Sequence, residues 1–209
     1  MTMKLYCFGE SGHSYKAALG LALTKLDWEA VFVDFFNGEG RSPEFQQINN
    51  MGEAPVLIDG DLKLTQSGVI LDYISEKSGM LGMHNPDLRR DVMRWVLWDN
   101  HKLSSNAGMV RFLMNFLPKD KRPAEVIGFT QARLKSAYKV LDQALAGRDW
   151  LVGDQITAAD ISCCSYLYYP EPFGFDRADW PNIDKWLTRI SDLPGWKHPY
   201  DMMQRAMVQ

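Results

Sequence analysis

The amino-terminal stretch FGESGHSYK, Phe8 to Lys16, concentrates side chains that could do chemistry. It contains two hydroxyls, Ser11 and Ser14, and the imidazole of His13. Its glycines have the spacing G-x-x-G, whereas a dinucleotide fingerprint needs G-x-G-x-x-G and a Walker loop needs Lys-Ser or Lys-Thr after its glycines. A phosphate site is therefore not predicted. Two interpretations remain, a polar turn or a loop whose hydroxyl or imidazole takes part in a reaction.

A second stretch, GEAPVL, places a proline directly before a short apolar run. Because proline has no N–H to donate, it fits the first position of a strand, and X-Pro bonds are the usual home of cis peptides. A cis bond between Ala54 and Pro55 would turn the N–H and C=O of Ala54 outward, where they could pair with the backbone of a bound peptide. The alternative is a trans proline that only begins the strand.

A third stretch, TQSG, lies at a predicted strand-to-helix junction. The first turn of a helix presents unpaired N–H groups and a partial positive charge. Ser67 with its backbone N–H could therefore hold a carboxylate, and the side chain of Gln66 could add a contact. The alternative is a serine that only caps its own helix.

The fourth stretch, TAAD, predicts structure rather than chemistry. Thr157 and Asp160 have the S/T-x-x-D/E spacing of a capping box and precede an apolar run. We expect the Asp160 carboxylate to accept a hydrogen bond from the Thr157 N–H at the start of a helix.

The segments between these stretches predict the elements that position them. KLYCF (Lys4 to Phe8) and AVFVDF (Ala30 to Phe35) are typical of strands, and the segment YKAALGLALTKL between them is rich in helix formers. This order predicts a βαβ unit. APVLIDGDLKL then predicts two strands about an Asp-Gly turn, and a helix is expected from Ser67.

From about Asp87 onward the strand signals stop. Apolar residues recur at three- and four-residue spacing through four long segments, which predicts an all-helical half. Gly, Asn and Pro cluster in SGMLGMHNPD, residues 78–87, and mark the boundary. We therefore expect two domains, residues 1–79 and residues 87–209.

Composition narrows the class of function. The chain has 209 residues, 46% of them hydrophobic, and a formal net charge of -3 without a cluster of Lys and Arg. Nucleic acid is therefore not an expected partner. The amino terminus lacks a signal-peptide pattern and no run reaches the length of a membrane span, so we expect a cytoplasmic protein without a membrane partner. The three cysteines, Cys7, Cys163 and Cys164, are interpreted as buried and unbridged.

Taken together, these motifs and their order resemble the cytosolic glutathione transferases. The resemblance covers nearly the whole chain and depends on RSPEF, GEAPVLIDGDLKLTQSGVILDYI, TAAD and LPGWKHP. It implies a thioredoxin-like α/β amino-terminal domain that binds glutathione. It also implies an all-α carboxyl-terminal domain that forms the pocket for a small apolar electrophile.

The resemblance also implies roles for particular residues. Carried over by position, Ala54 before a cis Pro55 pairs with the cysteinyl backbone of glutathione, and Gln66 with Ser67 holds the γ-glutamyl carboxylate. Arg41 matches a basic position of the phi class that contacts the glycyl carboxylate. Glu53 stands where many members carry Lys or Gln, so any contact it makes with glutathione uses its backbone or leaves the glycyl end to Arg41.

The opening loop acquires a role in the same way. The phi and zeta classes place an activating serine between the first strand and the first helix, and alignment on that pattern puts Ser11 at this position. Zeta members carry Ser-Ser-Cys-Ser where this chain has Ser11-Gly12-His13-Ser14, which makes the isomerase behaviour of that cysteine less expected. Tyr6, Ser14 and His13 remain alternatives for the activating group.

For the helical half, the resemblance implies an electrophile pocket whose wall includes His101, Asn106, Met109 and Phe112. It also implies a homodimer. We expect a glutathione S-transferase that needs no metal or other cofactor, because a hydroxyl and a helix terminus suffice to stabilise a thiolate. The alternatives are a glutathione-dependent isomerase, peroxidase or dehalogenase, or a glutathione-binding protein without activity.

Overall fold

A four-stranded mixed sheet forms the centre of the amino-terminal half. The computed structural model describes residues 2–206, so residues 1 and 207–209, the outermost residues of the two predicted domains, lie outside the described part. The strands lie in the order β2-β1-β3-β4, with β1 parallel to β2 and antiparallel to β3, and β3 antiparallel to β4. Their bounds are Met3–Cys7 (β1), Trp28–Phe32 (β2), Val56–Asp59 (β3) and Leu62–Thr65 (β4).

The second strand ends earlier than the sequence pattern predicts. We expected a strand over Ala30 to Phe35, but β2 ends at Phe32. The chain then turns because the Glu39 carboxylate accepts the Asp34 N–H at 2.6 Å, and the Asp34 carboxylate accepts the Asn37 side chain. Phe35 and the residue after it therefore lie in a loop instead of in the sheet.

Three helices accompany the sheet: α1 (Gly12–Leu23), α2 (Pro43–Ile48) and α3 (Ser67–Ser78). Helices α1 and α3 pack closely because Gly20 has no side chain, and a Cβ there would lie 2.9 Å from a methyl carbon of Leu71. The β-α-β-α-β-β-α order gives the thioredoxin-like arrangement that was predicted.

The second half contains helices and loops, with no strand in residues 79–206. The α-helices are Pro86–Trp98 (α4), Ser105–Arg111 (α5), Ala124–Ala144 (α6), Ala158–Cys164 (α7), Pro181–Ser191 (α8) and Pro199–Met202 (α9). The all-helical prediction is confirmed. None of the helices described is long and apolar enough to cross a membrane.

Helices α4 and α5 belong to one continuous rod from residue 86 to residue 116. Two π-helical segments, Asp99–Ser104 and Phe112–Phe116, interrupt its α-helical geometry. A π-turn accommodates one more residue than an α-turn, so each segment shifts the side chains that follow it around the axis. This shift decides which residues of the rod face the first domain.

A buried ion pair joins the two halves. Lys16 of α1 and Asp99 of the rod are both 0% exposed, and the Lys16 ammonium lies 2.5 Å from the Asp99 carboxylate. Asp99 also accepts hydrogen bonds from the hydroxyls of Ser104 (2.7 Å) and Ser162 (2.6 Å), and Lys16 donates to Asn100 at 3.0 Å. Each buried charge is thus compensated by an opposite charge and by hydrogen bonds.

The predicted capping box is present at the start of α7. The Asp160 carboxylate accepts the N–H of Thr157 at 2.8 Å and that of Leu151 at 2.9 Å, as well as the indole N–H of Trp186 at 2.9 Å. Burial raises the pKa of Asp160, and these hydrogen bonds oppose the rise. The box fixes the helix that supplies Ser162 to the ion pair between the halves.

Candidate active site

A cavity of about 470 Å³ lies between the two halves. Its residues come from the loop before α1, the loop after β2, the segment before β3, the start of α3, the α4–α5 rod and the turn after α7. They are Phe8, Glu10, Ser11, His13, Phe35, Phe36, Glu53, Ala54, Pro55, Gln66, Ser67, Asn100, Ser105, Gly108, Arg111, Phe112, Phe116 and Tyr166.

Two sets of these residues differ in chemistry. One set carries hydroxyl, imidazole, amide and backbone groups and is called the polar wall: Ser11, His13, Ala54, Pro55, Gln66 and Ser67. The other carries rings and is called the aromatic wall: Phe36, Phe112, Phe116 and Tyr166.

Ser11 is the N-cap of α1, so the start of the helix fixes its position. Its hydroxyl oxygen accepts the backbone N–H of Ser14 at 3.1 Å. That bond uses a lone pair of the oxygen, so the hydroxyl proton remains able to donate to an anion in the cavity. The N–H groups of Gly12 and His13 belong to the first helical turn, where no intrahelical acceptor is available to them.

Ser67 begins α3, so a second helix amino terminus reaches the same cavity. The Ser67 hydroxyl lies 3.3 Å from Nδ1 of His13, which joins the two helix starts. Gln66 is the N-cap residue and has a positive φ of 67°. Both helices have 12 residues, and their dipoles place partial positive charge at the same polar wall. The wall therefore favours a ligand with more than one negative group.

Ala54 provides backbone groups between the two helix starts. The peptide bond from Ala54 to Pro55 is cis, as the resemblance to the glutathione transferases implied. The side chain of Asn49 donates to the carbonyl of Glu53 at 2.7 Å and fixes the chain before that bond. Strand β3 begins only at Val56, so Ala54 precedes the sheet, and it lines the cavity. This segment can pair with an extended peptide.

Glu53 and Gln66 contact each other at the mouth of the cavity. The Gln66 amide donates to the Glu53 carboxylate at 3.0 Å, and both side chains are exposed. Arg41 lies elsewhere: it ends a short 3₁₀ turn, Glu39–Arg41, it is exposed, and it does not line the cavity. The structure thus brings Ser11 and five of the six predicted glutathione-binding residues into one cavity, and it leaves the sixth, Arg41, outside.

His13 is a neutral group at neutral pH. Burial lowers its pKa, and the nearby positive charge of Lys16 lowers it further, to about 3. Its imidazole therefore positions the Ser67 hydroxyl without adding a positive charge to the site.

The alternative hydroxyls of the first strand and helix lie outside the cavity. Ser14 is fully buried and does not line it, and Tyr6 packs against the ring of Phe45 with centroids 6.4 Å apart. Tyr166 was not predicted, yet its ring lies 5.7 Å from that of His13 and lines the cavity. Burial raises the pKa of Tyr166 to about 12, so its phenol stays protonated and able to donate.

The aromatic wall is built across the two halves. Phe36, from the loop after β2, lies 5.0 Å from Phe116 and 6.5 Å from Phe112 between ring centroids. Beside it Phe8 and Phe35 stack at 4.8 Å with nearly parallel rings. The early end of β2 is therefore what places a phenylalanine from the first half against the rod of the second.

Of the predicted electrophile residues, only Phe112 lines the cavity. In an uninterrupted α-helix, positions 101, 105, 108 and 112 would share a face. The π-segment Asp99–Ser104 changes this register, so Asn100 replaces His101 on the cavity side. The assignment of His101 to the wall is corrected accordingly.

Asn106 and Met109 are corrected as well. Asn106 lines a separate cavity of about 330 Å³ against α6 and donates to the carbonyl of Lys102. Met109 is 54% exposed and does not line the main cavity. Both lie beside the cavity-facing stripe of the rod, where small shifts in helical register decide exposure.

Two glycines, Gly12 and Gly108, are the sequence feature associated with Tyr166. A Cβ at Gly12 would lie 2.4 Å from the Tyr166 ring, and a Cβ at Gly108 would lie 2.9 Å from its hydroxyl oxygen. Glycines inside helices indicate close approach of another group, and here two of them leave room for the same ring.

The comparisons with known proteins agree with this geometry. The family model "Glutathione S-transferase, N-terminal domain" matches residues 1–76, and "Glutathione S-transferase, C-terminal domain" matches residues 107–194. A glutathione S-transferase of Arabidopsis thaliana is 30% identical over 198 residues, which cover 88% of this chain and 90% of that protein. The chain belongs to the glutathione S-transferase family. The resemblance found in the sequence is thereby confirmed.

Two further relatives of this glutathione S-transferase family member are informative. The maleylacetoacetate isomerase of Pseudomonas aeruginosa is 30% identical over 205 residues, which cover 94% of this chain and 92% of the isomerase. A crystal structure of a glutathione transferase from Burkholderia graminis, with two glutathione molecules bound per subunit, has a TM-score of 0.83 at 26% identity. It covers 93% of this chain and 85% of that one.

The cysteines of this transferase do not supply a nucleophile to the cavity. Cys7, Cys163 and Cys164 are buried and free, and none lines the cavity. Burial raises the pKa of Cys7 to about 12 and those of Cys163 and Cys164 well above their ordinary value. The reactive thiol must therefore come with the substrate.

The cationic side chain in the transferase's cavity wall is held by other groups. The Arg111 guanidinium donates to the carbonyl of Glu10 at 2.8 Å and to the carboxylate of Glu171 at 2.9 Å. It also lies 3.7 Å above the ring of Tyr169. Burial would raise the pKa of Glu171, but hydrogen bonds from Tyr200 and Arg111 lower it. Arg111 thus acts as a fixed link between the opening loop and the helical half.

Proposed function

We propose that this protein binds glutathione along the polar wall, stabilises its thiolate, and transfers it to a small hydrophobic electrophile. The observation that supports this proposal most directly is that the amino termini of α1 and α3 and the backbone of Ala54 before the cis Pro55 meet in one cavity. Glutathione offers a matching set of groups: an extended peptide, carboxylates at its ends and a thiol in the middle. The glutathione-bound Burkholderia relative supports the same ligand.

The γ-glutamyl carboxylate is proposed to lie at the start of α3. There the Ser67 hydroxyl, the N–H groups of the first turn and the Gln66 amide provide donors. The cysteinyl N–H and C=O are proposed to pair with Ala54 beside the cis Pro55. This placement directs the glutathione thiol toward the start of α1 and therefore toward Ser11.

Ser11 is proposed to lower the pKa of the bound thiol. A free thiol has a pKa of about 8.5, and lowering it by about two units requires roughly 2.7 kcal/mol of preferential interaction with the thiolate. A hydrogen bond to a charged acceptor contributes about 1.5 to 3 kcal/mol. The hydroxyl and the helix dipole of α1 therefore suffice, so the proposed reaction needs no metal or cofactor.

The aromatic wall is proposed to hold the electrophile. The thiol proton leaves to solvent, and the thiolate sulfur attacks the electrophilic carbon to form a C–S bond. A leaving group then departs with its electron pair, or the electrons of an activated double bond move to the adjacent atom and accept a proton from water. Phe36, Phe112 and Phe116 offer apolar surface for such a substrate.

A second candidate activity is glutathione-dependent isomerisation. The 30% identity to a maleylacetoacetate isomerase over nearly the whole chain favours it. There the thiolate would add to a double bond and be eliminated again, so glutathione would not be consumed. Measuring free thiol during turnover separates the two activities, because conjugation consumes one glutathione for each electrophile.

We further propose a cytoplasmic homodimer with a role in detoxification. Support for the dimer comes from exposed apolar side chains on neighbouring helices of the two halves, Val69 of α3 and Leu97 of α4. Sedimentation equilibrium tests this proposal, since a single species of about 24 kDa would contradict it. Fractionation of cells tests the location.

The decisive experiment is a titration of the bound glutathione thiol by its ultraviolet thiolate absorbance. We expect a lowered pKa in the wild type and a pKa near that of free thiol in Ser11→Ala. Ser14→Ala is the matched control, because that hydroxyl lies three residues further on, in the first turn of α1, and outside the cavity. Tyr166→Phe, Tyr6→Phe and His13→Ala complete the set. A wild-type thiol that titrates like free glutathione would contradict the proposed activation.

A further inference from the structure

Glu10 is a buried carboxylate next to the proposed activating serine. It lines the cavity, is 4% exposed, and directly precedes Ser11. A negative charge at this place opposes formation of a thiolate, because like charges disfavour the ionised form. The structure therefore needs a partner for Glu10 if the site is to favour an anion.

The carboxyl-terminal segment supplies that partner. One Glu10 oxygen accepts from Nε of Arg205 at 3.2 Å, and the other accepts from the backbone N–H of Ala206 at 2.9 Å. The Gly9 N–H donates to the carbonyl of Gln204 at 2.7 Å. A Cβ at Gly9 would lie 3.2 Å from this segment's backbone, so the two strands of chain are in close contact.

The other charged groups around Glu10 are already paired. Arg111 donates to the backbone carbonyl of Glu10, not to its carboxylate, and forms its ion pair with Glu171. Arg205 lies 3.6 Å from Glu171 and 3.9 Å above the ring of Tyr200. The two arginines thus face two glutamates, and Arg205 is the cation that contacts the carboxylate of Glu10.

We propose that Arg205 and the adjoining carboxyl-terminal backbone neutralise Glu10 and thereby keep the pKa of the bound glutathione thiol low. This inference rests on the proposed function, since it concerns the thiolate held at Ser11. Arg205 is a positioning residue in this scheme and does not touch the substrate. The remaining titratable side chains that face the thiol site in the cavity are His13, Glu53, Arg111 and Tyr166.

None of those four side chains changes with Arg205. His13 and Tyr166 are uncharged at neutral pH, as their pKa values of about 3 and about 12 indicate. Arg111 keeps its pair with Glu171, and Glu53 lies exposed at the mouth beside Gln66. Removal of Arg205 therefore alters the field at the thiol chiefly through Glu10, because Glu171, which Arg205 also approaches at 3.6 Å, keeps its ion pair with Arg111 and its hydrogen bond from Tyr200.

The test measures the pKa of enzyme-bound glutathione in Arg205→Ala by thiolate absorbance. Because Glu10 is adjacent to Ser11, its carboxylate is expected to lie within about 10 Å of a thiol held at Ser11. An uncompensated charge at that distance shifts the pKa of the thiol by about one pH unit. We expect a rise of that size. Arg205→Lys should keep most of the wild-type value, and the double variant Arg205→Ala/Glu10→Gln should restore it.

A matched control separates this effect from loss of a surface ion pair. Arg89 pairs with Asp72, is 44% exposed in its side chain compared with 56% for Arg205, and lies outside the cavity. Arg89→Ala should leave the thiol pKa unchanged. Glu10→Gln alone, which retains Arg205, should leave it unchanged or lower it.

The outcomes distinguish this inference from the proposed function. A lowered wild-type pKa that Arg205→Ala leaves unchanged overturns the inference alone. A rise in Arg205→Ala that Glu10→Gln does not reverse also overturns it, because the effect would then be structural. A wild-type thiol with the pKa of free glutathione overturns the proposed function together with the inference.

Discussion

The polar wall and the aromatic wall of the cavity are built by different physical means. The polar wall uses main-chain features, namely the amino termini of α1 and α3 and the cis peptide bond before Pro55. The aromatic wall uses large side chains from segments far apart in the sequence, such as Phe36 and Phe116. The first recognises charge and peptide geometry, whereas the second offers apolar area with little directional constraint.

This difference suits two substrates with unequal demands. A wall of fixed donors holds one invariant ligand, because hydrogen bonds require defined positions. A wall of rings accepts many apolar shapes, because burial of apolar surface is not directional. The comparison predicts that variants of the two walls differ in which kinetic constant they change, and that the ion pair joining the two halves affects the stability of the whole protein.

The largest effect is expected where the two halves are joined behind the cavity walls, at the buried pair of Lys16 and Asp99. Lys16→Met leaves the Asp99 carboxylate buried without its cation, which costs about 3 to 5 kcal/mol of unfolding free energy. Chemical denaturation followed by tryptophan fluorescence measures it. Lys77→Met is the matched control, because its pair with Asp59 is at the surface, where solvent screens the interaction, and a much smaller loss of stability is expected. Equal losses in the two variants would contradict the structural role of the buried pair.

The next effect isolates the polar wall. Ser67→Ala removes a donor to the γ-glutamyl carboxylate, and a hydrogen bond to a charged group contributes about 1.5 to 3 kcal/mol. We expect glutathione affinity to fall by about 10- to 100-fold in calorimetry, with the KM for the electrophile little changed. Ser42→Ala is the control, since Ser42 caps α2 and does not line the cavity. An unchanged affinity in Ser67→Ala would place the carboxylate elsewhere.

A smaller effect isolates the aromatic wall. Phe36→Ala removes one ring of the aromatic wall, which lies against Phe112 and Phe116. A contact between such a ring and an aromatic substrate contributes about 0.5 to 1.5 kcal/mol. We expect the KM for an aromatic electrophile to rise by about three- to tenfold while glutathione affinity is retained. Phe129→Ala, on the exposed face of α6, serves as control. His101→Ala and Met109→Ala should behave like the control. A larger rise in KM in either variant would support the original assignment of that residue to the electrophile pocket.

The same contrast explains what the sequence could predict. Pro55 and Ser67 were identified because X-Pro bonds and helix starts depend on a few adjacent residues, whereas Ser11 was assigned only through the resemblance to the family. Asn100 and Phe36 were not, because one depends on a π-turn in the middle of a rod and the other on a strand that ends three residues early. The Lys16–Asp99 pair joins residues that are 83 positions apart, so no local sequence pattern predicts it.

The smallest effect on activity at neutral pH concerns His13, and it tests whether the polar wall works without an ionised side chain. The folded-state pKa of about 3 lies below the value of about 6.5 for an unfolded histidine, so between these values the unfolded chain binds a proton that the folded chain does not. By linkage, the contribution of His13 to stability is full above pH 6.5 and declines as pH falls toward 3. It adds no pH dependence above pH 7.

Nuclear magnetic resonance of labelled histidine rings checks this assignment. The His13 ring signals, identified by their loss in His13→Gln, should stay constant from pH 8 to pH 5 in the folded protein and titrate near pH 6.5 in urea. A folded-state midpoint above pH 5 would contradict a neutral His13. With His13 neutral throughout, we expect transferase activity to rise with pH as the bound thiol ionises. Ser11→Ala should shift that profile to higher pH, and His13→Gln should not.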